Sequence, residues 1–183
     1  MLRLTRVTAA LLAAIAAVGL GMTTVATADD DNHGRHRHLR ARLAAHNEVP
    51  IVISDAKGRF SGRINDTPSG PELEWELSYD GLEGTVTQAH IHVGQPFASG
   101  GIMLWFCANN PPITNAPAGT QTCPAPPATI SGTFSAANVV GPTGQAIPVG
   151  SFEDALEAIL GGNAYANVHS TSAPGGELRG QIR

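Results

Sequence analysis

Residues Glu72 to Tyr79, ELEWELSY, set the tightest limit on what this chain can fold into. Leu73, Trp75, Leu77 and Tyr79 alternate without a break with Glu72, Glu74, Glu76 and Ser78. Side chains on a strand point to opposite faces in turn, so this period of two describes a half-buried β-strand with an apolar inner face. The three glutamates read as a solvated outer row that discourages edge pairing, in preference to a cation-binding stripe.

The rest of the chain fits around such a strand. With 21 glycines, 13 prolines and few helical patterns, the composition leans all-β. Leu39 to Ile53 reads as a first strand and its exit, with Pro50 at an edge or bend because it has no N–H for a ladder. Ala56 to Ile64 is the next strand, with Phe60 and Ile64 facing inward around Gly62, and Asp66 to Pro71, DTPSGP, is loop chemistry. Ile102 to Cys107, IMLWFC, is a strand covered on both faces, and Thr129 to Phe134 is another short one. One short helix is expected near 152–160, with Ser151 as N-cap, Ala155, Leu156, Ile159 and Leu160 as its apolar stripe, and Gly161-Gly162 as its stop. Asn163 to Ser170 and Glu177 to Arg183 form two last strands joined by Thr171 to Gly176.

Residues 1–28 read as a secretory signal peptide: Arg3 and Arg6, an apolar run from Val7 to Leu20, and the small-residue cleavage site Ala26-Thr27-Ala28. Residues 29–40 form a mobile polar His/Arg/Asp leader, whose His33, His36 and His38 make a polar linker more readily than a specific metal site. Residues 41–183 are the folded domain. Cleavage leaves 155 residues with nine Lys and Arg against fifteen Asp and Glu, a formal charge of −6. An acidic chain whose single lysine, Lys57, leaves no basic patch argues against nucleic acid or an anionic membrane as partner. No second apolar run of spanning length follows, so no membrane insertion is expected after cleavage. The product is therefore expected to be secreted, extracellular or periplasmic. In that setting Cys107 and Cys123 are expected to form a disulfide across a proline-rich segment.

The chemistry concentrates at Gln88 to Gly94, QAHIHVG. On a strand His90 and His92 share one face, roughly 6.5 to 7 Å apart by strand rise, while Ala89, Ile91 and Val93 take the other. The same alternation leaves Tyr165, Asn167 and His169 opposite Ala164, Ala166 and Val168, and Glu177, Arg179 and Gln181 opposite Leu178 and Ile182. A hairpin between these last strands brings His169 close to the Glu177/Arg179 row.

AHIHVG, the run Gly162 to His169 (G-N-A-Y-A-N-V-H), the run Pro174 to Ile182 (P-G-G-E-L-R-G-Q-I) and the early Asn47-Glu48-Val49-Pro50 together resemble the CHRD domain, first described in chordin and common in exported bacterial proteins. The resemblance covers about residues 41 to 183 and implies an extracellular, antiparallel β-sandwich, immunoglobulin-like or superoxide-dismutase-like in its Greek key, with no established reaction. It maps the family's His-x-His onto His90 and His92, its Val-His onto His169, and its Glu-x-Arg-Gly-Gln onto Glu177, Arg179 and Gln181. The proline-rich insertion after Trp105 departs from the family pattern.

No nucleophile–base pair, phosphate loop or cofactor fingerprint is visible, so the leading expectation is a non-catalytic secreted module for an extracellular protein or surface ligand. The alternative is a copper or zinc site on His90, His92 and His169, because imidazole suits both metals. A His-x-His strand resembles copper–zinc superoxide dismutases locally, but no aspartate-containing second site is visible, which argues against a redox activity. Beside both stands a purely structural arrangement, in which the histidines join a satisfied network where Glu177 pairs with Arg179 or an imidazole.

Overall fold

The computed structural model describes residues 38–109 and 113–183. The signal peptide, most of the leader and its His33 and His36 lie outside the described residues. Eight strands are described: β1 (His38–Ala44), β2 (Lys57–Thr67), β3 (Gly70–Asp80), β4 (Val86–Val93), β5 (Ile102–Ala108), β6 (Ala128–Phe134), β7 (Ala164–Ser170) and β8 (Leu178–Gln181). β1 begins inside the segment assigned to the polar leader, and His38 to Arg40 pair with β2.

All pairings are antiparallel, in a single sheet of order β5-β4-β7-β8-β1-β2-β3-β6. This corrects the expected two-sheet sandwich. β8 pairs with both β7 and β1, so the two halves that a sandwich would keep apart are hydrogen-bonded into one ribbon. The ribbon curls until its edge strands nearly meet, as a barrel-like sheet. Phe106 of β5 lies 5.6 Å from Phe134 of β6, and Trp75 of β3 lies 4.7 Å from Phe106, ring centroid to ring centroid. The aromatic cluster packs between the two edges, and Gln121 bridges them, accepting from Ala108 N–H of β5 and donating to the Ser131 carbonyl of β6.

The alternation of ELEWELSY is realised: Leu73, Trp75, Leu77 and Tyr79 are buried, and the core continues through Phe60 and Ile64 of β2. On the other side of β3 the register Leu73↔Phe134, Trp75↔Gly132 and Leu77↔Ile130 lets the indole lie over Gly132, where a Cβ would fall 2.8 Å from the ring. DTPSGP is less loop than expected. Asp66 pairs with Pro71 and Thr67 with Gly70, leaving a two-residue hairpin turn at Pro68-Ser69. β5 is buried on both faces from Met103 to Cys107, and the Cys107–Cys123 disulfide is formed.

Among the described residues there is one α-helix, α1 (Phe152–Leu160), which packs on β4 and β7. Its buried stripe is Phe152, Ala155, Leu156 and Ile159, while Leu160 is exposed, contrary to expectation. At 3.6 residues per turn Phe152 completes the i, i+3, i+4, i+7 face and Leu160 rotates off it. The Ser151 hydroxyl does not cap a backbone N–H but donates to the Asp154 carboxylate at 2.5 Å. No helix among the described residues is long and apolar enough to cross a membrane.

The register of β1 on β2 gathers cations that the overall charge does not reveal, beside the Glu74, Glu76 and Asp80 row of β3. Arg42 stands opposite Arg59, His38 opposite Arg63, and Ala44 opposite Lys57, all on the outer face. Net charge is blind to such pairing, because it sums cations and anions without regard to which strands meet.

Candidate metal centre

β4 and β7 run antiparallel with His90 opposite Asn167, His92 opposite Tyr165 and Gln88 opposite His169. Ala89 and Ile91 meet Val168 and Ala166 on the inner, core face. The apolar demand of that core fixes the register, since a one-residue slip would turn the histidines inward. His90, His92 and His169 therefore converge on the outer face. Ring centroids are 4.9 Å apart for His90 and His92, 4.7 Å for His90 and His169, and 6.4 Å for His92 and His169. One nitrogen from each ring can be chosen so that all three lie within 4.8 Å of one another. The cluster is covered, with His90 only 1% exposed and the Trp105 ring edge-on to it at 4.6 Å.

Hydrogen bonding decides the tautomers. His92 Nδ1 lies 2.9 Å from the Gly100 carbonyl and His169 Nδ1 lies 2.9 Å from the Pro174 carbonyl. A carbonyl only accepts, so both Nδ1 atoms carry hydrogen, and in the neutral rings both Nε2 atoms carry lone pairs. His92 Nε2 faces His90 Nδ1 at 3.0 Å. The Nε2 atoms of His90 and His169 are buried with no hydrogen-bond partner. Backbone carbonyls on the far nitrogens orient the rings in the manner of outer-shell partners of metal-bound histidine.

A family model described as CHRD domain matches residues 39–182, nearly all of the described chain. The chain belongs to the CHRD domain family. No curated protein and no solved structure matches it. The matched span takes in the three histidines and every strand except the first residue of β1.

Around the histidines, the CHRD domain builds a second tier. Tyr165 lies parallel to His92, and the Arg179 guanidinium sits 3.5 Å from the Tyr165 ring centroid. Arg179 Nη2 donates to the carbonyls of Gln95 and Ala98, and Gln181 Nε2 to those of Gly94 and Gly162, so β8 clamps the 94–101 loop over the site. Gly100 closes that loop: a Cβ there would fall 1.6 Å from the Val93 carbonyl oxygen. Only glycine lets the Gly100 carbonyl reach His92 while Gly100 N–H donates to the Tyr165 hydroxyl. Asn167 donates to the Leu178 carbonyl and to the Glu48 carboxylate.

The expected pairing of Glu177 with Arg179 or an imidazole does not occur. Glu177 accepts from the Ser54 and Ser170 hydroxyls and from Glu83 N–H. Ser170 alternates with His169 along β7, so this bonding draws the Glu177 carboxylate away from the imidazoles. The acid that enters the site is Glu48, from the segment after β1. Its one signal in the sequence is the motif Asn47-Glu48-Val49-Pro50. Trp105 and the Gly100 carbonyl were missed as well, one inside a continuous apolar run and the other in a loop.

Burial dominates the electrostatics. It holds His90 well below the ordinary histidine range, with His169 and His92 pushing the same way. It takes His92 down to about 4 against the Gly100 carbonyl, and it lowers His169. The three rings are thus neutral at neutral pH, the form in which imidazole ligates a metal. Burial raises Glu48 to about 7, in spite of the Arg179 guanidinium, and it raises Tyr165.

Proposed function

We propose that this CHRD domain is an exported, non-catalytic module that holds one copper or zinc ion on His90, His92 and His169. The observation that carries the reading is the pair of buried, unpartnered Nε2 atoms on His90 and His169, beside a His92 Nε2 whose lone pair is directed at His90. A buried polar atom without a partner costs about 1–3 kcal/mol, and a structural network would be expected to satisfy it. An ion removes that cost by accepting the lone pairs. One ring nitrogen from each of the three histidines can be chosen so that all lie within 4.8 Å of one another, close enough for small ring movements to bring them onto one ion at about 2.0–2.1 Å. Imidazole donors without thiolate select copper or zinc over calcium or magnesium. Export is supported by the Cys107–Cys123 disulfide and by the extracellular setting that the family resemblance implies.

The test is metal analysis of the full chain purified without a histidine tag. About one copper or zinc per chain is expected, falling to background in His92→Ala and His169→Ala. Added copper or zinc should raise the melting temperature of the parent and not of the variants. Absence of retained metal together with an unmoved melting temperature overturns the reading.

A further inference from the structure

The outer face of β1 and β2 carries a second feature, separate from the histidines and independent of any metal. Arg40, Arg42, Lys57, Arg59 and Arg63 share this face and all are exposed. Arg42 and Arg59 are directly opposed across the ladder, a like-charge arrangement that costs stability. Arg40 exchanges backbone hydrogen bonds of 2.8 and 3.0 Å with Arg183, which sets a second arginine pair across the neighbouring ladder. Lys57 has Asp80 opposite it and Arg63 has Glu74, but Arg59 faces only Ser78. Neither the Arg42 nor the Arg59 side chain has a hydrogen bond or ion pair with a described residue. Both line a groove of about 790 Å³ together with Lys57, His46 and Asn47, in which Asp80, opposite Lys57, is the one carboxylate.

We propose that this groove is a binding site for a linear acidic polysaccharide bearing sulfate or carboxylate groups. Opposed arginines left without acidic partners form a fork-rich track whose natural complement is a row of bidentate oxyanions. The groove itself is bounded by Arg42, Lys57 and Arg59, and the exposed Arg40 continues the cationic row beyond it, a span from Arg40 to Ala44 of roughly 13 Å at strand rise, enough for two or three anionic groups in succession. Glu74 and Glu76 stand exposed on β3 and border it on one side, so a wide duplex would meet like charge. Single-stranded nucleic acid needs stacking platforms. No aromatic side chain is exposed on this face, since Phe60 and Tyr79 are both turned into the core. β1 and β2 are interior to the sheet, so no free backbone edge is offered to an acidic peptide for strand addition.

The experiment is titration of the full chain with heparin as the sulfated probe, beside neutral dextran, poly-glutamate and a single-stranded oligonucleotide, at two salt concentrations. Heparin binding at low salt is expected, weakened about tenfold or more when salt is raised fourfold, with dextran inert. Arg42→Gln/Arg59→Gln should weaken it about tenfold or more, with unchanged or raised melting temperature because the like-charge pair is relieved. If the double variant does not fold, Arg42→Gln and Arg59→Gln are measured singly, each expected to weaken binding several-fold. Absence of heparin binding at low salt, or binding unmoved by the substitutions, overturns the proposal. Tighter binding of poly-glutamate or the oligonucleotide than of heparin overturns the assignment to a polysaccharide.

Discussion

The rings of His92 and Tyr165 lie parallel, 1° between planes and 4.8 Å between centroids, with Arg179 on the same tyrosine ring. Across one strand pairing the phenol thus joins the histidine cluster to the buried arginine that holds the 94–101 loop. Replacing Tyr165 by Phe keeps the stack and removes only the acceptor for Gly100 N–H, so a loss of about 1 kcal/mol is expected. Tyr165→Ala removes the platform as well and should cost about 3–5 kcal/mol. Chemical denaturation of the two variants checks the difference. Equal losses would show that the stack contributes nothing beyond the hydroxyl.

Stability of the metal-free protein should fall as pH drops below the ordinary histidine range. His92 titrates near 6.5 when unfolded and near 4 when folded, so between those values the unfolded chain binds the extra proton and stability rises with pH. His90 and His169 are lowered too and act in the same direction. Glu48 opposes them. Its folded value of about 7 stands above 4.5, so over that span the folded state holds the proton and stability falls with rising pH. Three histidines against one glutamate leave a net loss of stability on acidification from about 6.5 towards 4.5. Denaturation midpoints across that window measure it, and Glu48→Gln should steepen the slope. A flat profile in both proteins would contradict the buried, neutral assignment of the imidazoles.

Gly100→Ala is expected to act on the metal site through the backbone. The added methyl collides with the Val93 carbonyl, so the loop must shift and the Gly100 carbonyl must leave His92 Nδ1. Losing an outer-shell partner of this kind costs about 10–100-fold in metal affinity. Competition against a chromogenic chelator reads it. Gly119→Ala, where a Cβ meets nothing within 4 Å, serves as the loop-glycine control for stability, although its positive φ of 86° adds strain of its own. Undiminished affinity in Gly100→Ala would remove the carbonyl from any role in tuning the site.

Much of the site could be read from the chain because alternation on a strand is a local property. The faces of His90 and His92, and of Tyr165, Asn167 and His169, follow from period two once an apolar partner row is present. Glu177 escaped the same rule because its carboxylate is bonded by Ser54, Glu83 and Ser170, groups remote in sequence or turned from the imidazoles. Glu48 could not be placed by periodicity at all. It enters from an irregular segment, and only the pairing of β1 with β8 carries that segment to Asn167.

The sequence by itself determined most of the strands and their buried faces, the helix at 152–160, the disulfide and the three histidines, since each depends on neighbours within a few residues or on one cysteine pair. The tertiary structure alone decided that the strands close into one barrel-like sheet and that the imidazoles converge with unpartnered nitrogens. It alone also set Arg42 against Arg59 in a chain of net negative charge. The physical reason is common to all three. Strand order and ladder register are long-range quantities, fixed when distant apolar faces compete for one core, and the outer face inherits whatever juxtapositions that competition leaves.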